Sequence, residues 1–431
     1  MRRAAEVGVF AALALGVLAF GGTEPLYFSL VQIVLLGLCI LLVLRADSTL
    51  TESKPPWPLP AALAALLLLQ SAALSIAPHT TRGHLLLFLS YLAGFYLAAV
   101  ICQESPARRR LVLALLALGA FEAVYGLVQY LTGWQKIFGY TKVFNLQEAT
   151  GTYINRNHFA GLLEMLLPFA LVLAFYQFGK LRDLNTARLN SLGAFAGHPE
   201  TQKGILWLLL AVVLFVALVF SRSRMGLLAT LFSLAVMMAV AAASGRQRRL
   251  GIGLALAFLT AGILLALWIG PAPVLERFET LGNEQALGAE PRWVIWQDTL
   301  RLINQRPWLG SGLGTFPIAY PSVQAAYLTQ FVNHAHNDYL ELFSELGLPG
   351  GVLLLAGLFY LLARTLRFWT AARDRLSRAL ALGCVGSLSA LLLHALTDFN
   401  LYIPANALTF AVIAGLAWAV IPPQAGAEAT R

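Results

Sequence analysis

Charge is scarce in this 431-residue chain: only 12% of its residues are Asp, Glu, Lys or Arg, about half the share of a soluble globular domain. With 58% of residues apolar and a mean hydropathy of +0.72, a water-soluble fold is excluded. Cysteine is scarcer still. Cys39, Cys102 and Cys384 all lie inside apolar runs, where a thiol behaves as a small hydrophobe, so no disulfide framework is implied. Also missing are the segments of about 10 residues that alternate apolar and polar side chains in an outer-membrane barrel. The chain shows no internal repeat of the kind on which many transporters are built.

What the chain has instead is long apolar runs. A hydrocarbon core about 30 Å thick needs ~20 apolar residues per helical crossing. Runs of about that length fall at 5–21, 26–44, 59–77, 85–103, 110–131, 158–178, 204–220, 226–243, 250–270, 350–369, 378–397 and 403–421. The expected fold is an all-α polytopic membrane protein of about twelve transmembrane helices. It divides into helices 1–9 over residues 1–270, one large loop at 271–349 with short helices, and helices 10–12 with a tail at 350–431.

Arg2-Arg3 followed by an apolar stretch is laid out like a signal peptide, but no small-x-small cleavage site follows, so it reads as an uncleaved first crossing. Most of the Lys and Arg then fall on one set of loops, including Arg108-Arg109-Arg110, Arg246, Arg248, Arg249, Arg364, Arg367, Arg373, Arg375 and Arg378. Positive charge marks the cytoplasmic side, which places both termini there. The net charge of +9 is thereby a matter of topology and needs no nucleic-acid partner.

Two segments on the opposite side exceed a simple turn, 132–157 and 271–349. The second is rich in Trp, Tyr, Phe and Leu, unlike a disordered segment. Helical spacing of Trp293, Trp296, Leu300 and Ile303, with Asp298, Arg301 and Gln305 on the other side, predicts an amphipathic helix over 291–305. Its tryptophan side is expected to lie along the membrane surface. A second helix is expected over 337–346, closed by Gly347 and Pro349.

Polar groups at membrane depth are costly, so clusters of them at one level call for a function. Four stand on the outward side: Asn155-Arg156-Asn157-His158, Ser221-Arg222-Ser223-Arg224, Arg292, and His334-Ala335-His336-Asn337-Asp338. Two guanidiniums in so short a turn suit an anionic ligand, because the planar fork binds phosphate in pairs and keeps its charge; snorkelling to lipid headgroups is the alternative. His334, His336 and Asp338 fit either of two chemistries. One is a zinc site; the other is a general base at His336, kept neutral by the helix that follows. Gly310-Ser-Gly312-Leu-Gly314 follows no strand, so a dinucleotide site is not expected, and its glycines read as a close backbone crossing over the bundle. His394 with Asp398, Glu122 and Glu164 are either internal pairs or cavity groups.

These residues resemble a known family. His336-Asn337, nine residues, then Gly347-Leu-Pro-Gly350 is similar to the signature of the O-antigen ligase and polymerase family of bacterial envelope glycosyltransferases. Ser223-Arg224-Met-Gly226, Arg292-x3-Trp296, the 306–316 segment and Gly151 to His158 support the resemblance in the same order. It implies a membrane glycosyltransferase of the GT-C type in the bacterial inner membrane, with no metal and no cofactor. An undecaprenyl-pyrophosphate-linked glycan would be moved onto an acceptor hydroxyl, on lipid A core or on a second lipid-linked repeat, with inversion. It also implies that Arg224 and Arg292 hold the pyrophosphate and that His336 is the essential histidine. Arg222, Arg156, Asn155, His158, His334, Asn337 and Asp338 are the expected substrate-binding residues around them. The competing classes are a transporter of a lipid-linked or anionic substrate and a zinc-dependent hydrolase using His334, His336 and Asp338.

Overall fold

A computed structural model describes residues 2–44, 58–181, 192–243, 253, 291–325, 331–369 and 374–421. The expected ninth crossing (apart from Gly253), the loop segment 271–290 and Arg246, Arg248, Arg249 and Arg373 lie outside the described residues. The elements are α1 (Arg2–Leu18), α2 (Pro25–Leu44), α3 (Pro58–Leu69, continued by a wide turn Gln70–Leu74), α4 (Pro78–Ile101) and α5 (Ser105–Thr132). A two-residue antiparallel pair, β1 (Lys136–Ile137) and β2 (Tyr140–Thr141), precedes α6 (Arg156–Leu181), α7 (Leu192–Gly197), α8 (Pro199–Phe220) and α9 (Arg224–Ala243). The chain continues with α10 (Pro291–Gln305), α11 (Phe316–Ala319), α12 (Asp338–Phe368), α13 (Arg375–His394) and α14 (Pro404–Val420).

Every expected apolar run within the described residues falls on a helix. Helices α2, α4, α5, α6, α8, α9, α12 and α13 are long and apolar enough to cross a membrane, and the apolar α14 and the stretch Pro60–Leu74 are shorter. The protein is an all-α polytopic membrane protein, as a lipid solvent demands of a chain that must satisfy its backbone internally. Local signals set the helix ends. Proline opens α4 and α8, where its missing N–H costs nothing. Asp374 caps α13 by accepting from Ser377 N at 2.8 Å, and left-handed Gly133 ends α5.

Helix α6 is the hub. Its sequence is apolar on every side and its side chains from His158 to Ala174 are buried, the pattern of an interior helix. It packs against α8, α13, α9 and α5, while α4 packs against α14 and α12 packs against α3, α10 and α13.

Helix α10 lies where periodicity places it, with Arg301 and Gln305 exposed and Ile303 buried as its spacing predicts. Ile295, Asp298, Thr299 and Leu302 are buried, whereas Trp293 and Leu300 are about half exposed. The inward stripe includes a carboxylate because Asp298 is fully partnered. It pairs with Arg301 and accepts from the Tyr320 hydroxyl at 3.0 Å. Ile295 and Leu302 join Phe316, Tyr320 and Ala335 in a small core of their own.

The glycine run after α10 is the close crossing expected of it. Ser311 N donates to Ser344 O and Gly312 N to Glu345 O, both at 2.9 Å, and Leu348 N donates to Pro307 O at 2.7 Å. Gly310 and Gly347 both have φ in the left-handed region, and a Cβ on either would stand 2.2 Å and 2.5 Å from the facing backbone. The kink at Gly347 divides α12 into a short first segment and a long crossing.

Candidate active site

Four chain segments meet at one end of the bundle: the starts of α6, α9 and α12, and the turn from α13 to α14. Gly226, in the first turn of α9, packs on Ala160 of α6. Asp338 N, at the start of α12, donates to Ala395 O at 2.9 Å and Asp398 O at 3.2 Å. The α13–α14 turn is the keystone, and Asp398 and Phe399 are its working residues.

Asp398 is 1% exposed. Its Oδ2 accepts from Asn157 Nδ2 at 2.6 Å, and its Oδ1 lies 3.6 Å from His336 Nδ1 and 3.9 Å from His158 Nε2. Burial alone would raise its carboxyl, but the imidazoles of His336, His158 and His394 outweigh burial and hold it below the usual carboxylate range. Asp398 is therefore a fixed negative charge behind two histidines. Phe399 packs among three of them. Its ring stacks on His334 at 4.1 Å and meets His158 at 4.6 Å and His336 at 5.0 Å edge-on.

The two histidines of the His334 to Asp338 run are held differently. His334 Nδ1 lies 2.8 Å from Glu341 Oε1, and Ala335 N is tied to the same carboxylate at 2.7 Å. Burial pulls the His334 imidazole down to about 4, with Glu345 and Asp398 opposing it more weakly. His336 has a left-handed backbone, φ 51°, and a side chain one-third exposed. A non-glycine residue in that region is strained, and such strain collects at functional sites. Arg222 is held the same way, φ 54°.

Two expected binding residues serve as helix caps. Asn337 Oδ1 accepts from Tyr339 N and Leu340 N at 3.0 Å, and Asn155 Oδ1 accepts from Asn157 N at 2.8 Å. Such caps contribute ~1 kcal/mol each. Arg156 is paired with Glu148 at 2.7 Å. Asp338 is buried, with Oδ2 accepting from Leu401 N at 3.1 Å. The cations differ: Arg222 and Arg224 are exposed in the α8–α9 turn, whereas Arg292 is half-buried and donates to Thr397 O at 3.0 Å, next to Asp398 in sequence.

His394 does not pair with Asp398. Its Nδ1 meets Glu164 Oε2 at 3.0 Å across α6 and α13, both groups wholly buried. Glu122 is likewise an internal partner, accepting from Thr152 N at 2.8 Å and Thr152 Oγ1 at 2.7 Å. His334 Nδ1 faces Glu341 and one Asp338 oxygen accepts from Leu401 N, and no group of three His, Cys, Asp or Glu side chains that could hold a metal ion is found among the described residues.

Sequence reading left out Asp398, Phe399 and Glu341 as site residues. Phe399 carries no polar signal, and only the fold brings the α13–α14 turn beneath the α12 start. One further feature marks this end of the bundle. His158 Nε2, His336 Nδ1, Asp338 Oδ1, His394 Nε2, Thr397 Oγ1 and Asn400 Nδ2 are buried without a hydrogen-bond partner among the described residues. Buried polar atoms are nearly always paired, so this concentration exceeds what folding alone requires.

The chain matches no curated protein. Residues 209–355, which hold Arg222, Arg224, Arg292, His334 and His336, match the family model described as O-antigen ligase, and that match supports assigning the chain to the O-antigen ligase and polymerase family.

Proposed function

We propose that the protein is a glycosyltransferase that moves a glycan from an undecaprenyl-pyrophosphate carrier onto an acceptor hydroxyl, at the outer face of the bacterial inner membrane and with both termini in the cytoplasm. The observation that carries this reading is His336 itself: a strained, one-third exposed imidazole backed by the Asp398 carboxylate at 3.6 Å.

Asp398 favours the tautomer with the proton on His336 Nδ1 and leaves the lone pair of Nε2 free to accept one. His336 Nε2 is the proton acceptor in this scheme. The acceptor oxygen attacks the anomeric carbon as the bond to the pyrophosphate oxygen breaks. The bonding pair leaves on the lipid pyrophosphate, and the acceptor proton passes to His336 Nε2. Attack from the face opposite the leaving group inverts the anomeric centre. Arg224 and Arg292, with Arg222 beside them, stabilise the charge that grows on the pyrophosphate, and fixed guanidiniums do so without reorganisation. No metal is needed in this scheme.

The test is transfer by the purified protein in detergent with EDTA, from an undecaprenyl-pyrophosphate-linked repeat carrying a labelled glycan. Wild type should form longer glycans or a glycan on added lipid A core, and His336→Ala should form neither. Activity that requires a divalent metal, or that survives in His336→Ala, would contradict the proposal.

A further inference from the structure

Outside this site, the short β1–β2 hairpin has the wrong surface for a loop in water. Residues 134–147 carry two lysines and no acidic residue, and Trp134, Phe138, Tyr140 and Phe144 are all exposed. Uncovered rings gathered in one place mark a surface that meets something apolar.

Helix α5 identifies what that is. It is long and apolar enough to cross a membrane, and Phe121, Val124, Val128 and Leu131 form an exposed apolar stripe along it at helical spacing. Such a stripe on a crossing helix faces lipid. The hairpin folds back against α5 instead of standing off its end: the Tyr125 ring meets Phe121 at 5.6 Å, Trp134 at 5.3 Å and Phe138 at 5.7 Å. Arg108, Arg109 and Arg110 mark the other end of the same helix. Tyr125 stands about 22 Å from Arg110 at the helical rise, short of the far boundary of a ~30 Å hydrocarbon core. Trp134 and Phe138 are therefore at lipid depth and continuous with the lipid face of α5.

Non-helical backbone at that depth must have its polar groups satisfied by the protein. Here α5 satisfies them. Gln129 Nε2 donates to Lys136 O at 2.9 Å, and Phe138 N donates to the Tyr125 hydroxyl at 2.8 Å. Phe138 opens the two-residue turn between the paired Ile137 and Tyr140 with a left-handed backbone, φ 51°. Glycine or asparagine is the unstrained choice there, so a ring held at the exposed tip against strain points to a contact beyond the fold. The hairpin also stands at the active-site end of the bundle, because Ala149 N donates to Phe220 O at 3.0 Å, immediately before the Ser221 to Arg224 turn.

We propose that the 134–146 hairpin is a re-entrant membrane anchor: its Trp134 and Phe138 rings insert into the lipid leaflet on the His336 side, and exposed Lys136 reaches the lipid phosphates. Aromatic rings and a snorkelling lysine are the side chains suited to that boundary.

The test uses the full-length protein with Cys39→Ala, which leaves only the buried Cys102 and Cys384. A nitroxide is placed on Gly139→Cys, where a Cβ meets nothing within 4 Å. In vesicles of phosphatidylethanolamine and phosphatidylglycerol, power-saturation EPR compares collisions with oxygen, which concentrates in lipid, and with a water-soluble nickel chelate. The tip label should be reached by oxygen and protected from nickel, like a label at Leu131→Cys on the α5 stripe and unlike one at exposed Asn304→Cys on α10. Adding Trp134→Ser and Phe138→Asn removes both rings and relieves the turn. That pair should shift the tip label toward nickel while the melting temperature in detergent holds.

Free access of nickel to the tip label with both rings present would place the hairpin in water and overturn the proposal. Protection from both reagents would mean cover by protein, a second copy included, and would overturn it as well. A label that does not shift in the folded double variant would overturn the two rings as the anchor.

Discussion

Asp398 Oδ1 stands 3.6 Å behind Nδ1 of His336, joining a turn between two membrane helices to the residue before the cap of a third. The carboxylate places a fixed negative charge behind that edge of the ring, beyond hydrogen-bond distance. Asp398→Asn keeps the shape and removes the charge, so kcat should fall by about 10–100-fold, the usual effect of losing a group that orients an active imidazole. Steady-state rates, with the melting temperature showing that the variant folds, check this. An unchanged kcat in folded Asp398→Asn would contradict a role for Asp398 behind His336.

Arg224 is exposed, whereas Arg292 already spends one donor on Thr397 O. Lysine cannot replace either planar fork. Arg224→Lys and Arg292→Lys should each lower kcat/KM by roughly 10²-fold, in the range seen when one preorganised donor to a developing charge is lost. Only Arg292→Lys should also lower the melting temperature, since of the two it alone gives up a hydrogen bond to another described residue. Near-normal turnover by Arg224→Lys would count against pyrophosphate binding at the α8–α9 turn.

The helices were legible because a bilayer permits few alternatives: an apolar run of sufficient length is a crossing, and Pro291, Asn337 and Gly347 mark local ends. The structure brings His336 and Arg292, both picked out in the sequence, to the α13–α14 turn, and leaves Arg222 and Arg224 exposed in the α8–α9 turn. The burial of Asp298 was not legible, because its hydroxyl partner Tyr320 comes from outside the helix. Whether His394 and Asp398 form an internal pair or line a cavity was open in the sequence, and the fold turns His394 into the bundle toward Glu164. Phe399, which touches three histidines, is an apolar residue among many and carries no sequence signal at all.

Glu164 and His394 form a wholly buried pair between α6 and α13. Removing one partner of such a pair leaves the other unsatisfied, at a cost of about 3–5 kcal/mol. Glu164→Ala should therefore lower thermal stability in detergent sharply, and Glu164→Gln, which keeps a carbonyl acceptor for the ring, should cost less. Equal melting temperatures for wild type and Glu164→Ala would show that the pair adds nothing to the fold.

His334 is held neutral by burial, its value pulled from 6.5 down to about 4. Between those values the unfolded chain binds the proton and the folded chain does not, so stability rises with pH. The contribution of His334 is complete above about 6.5 and is lost as pH falls toward 4. Thermal unfolding over that window should show a decline for wild type that is shallower in His334→Asn, which cannot titrate. Parallel curves would contradict the neutral, buried state assigned to His334.

The most direct measurement compares transfer rates of wild type, His336→Ala and His334→Ala at saturating donor and acceptor, each variant first shown to be folded by its melting temperature. If His336 takes the acceptor proton, its loss should cost about 10²–10⁴-fold, and His334→Ala, which removes a stacking and positioning group, should retain clearly more activity. Equal and complete losses in two folded variants, or a folded His336→Ala that transfers at the wild-type rate, would contradict His336 as the base.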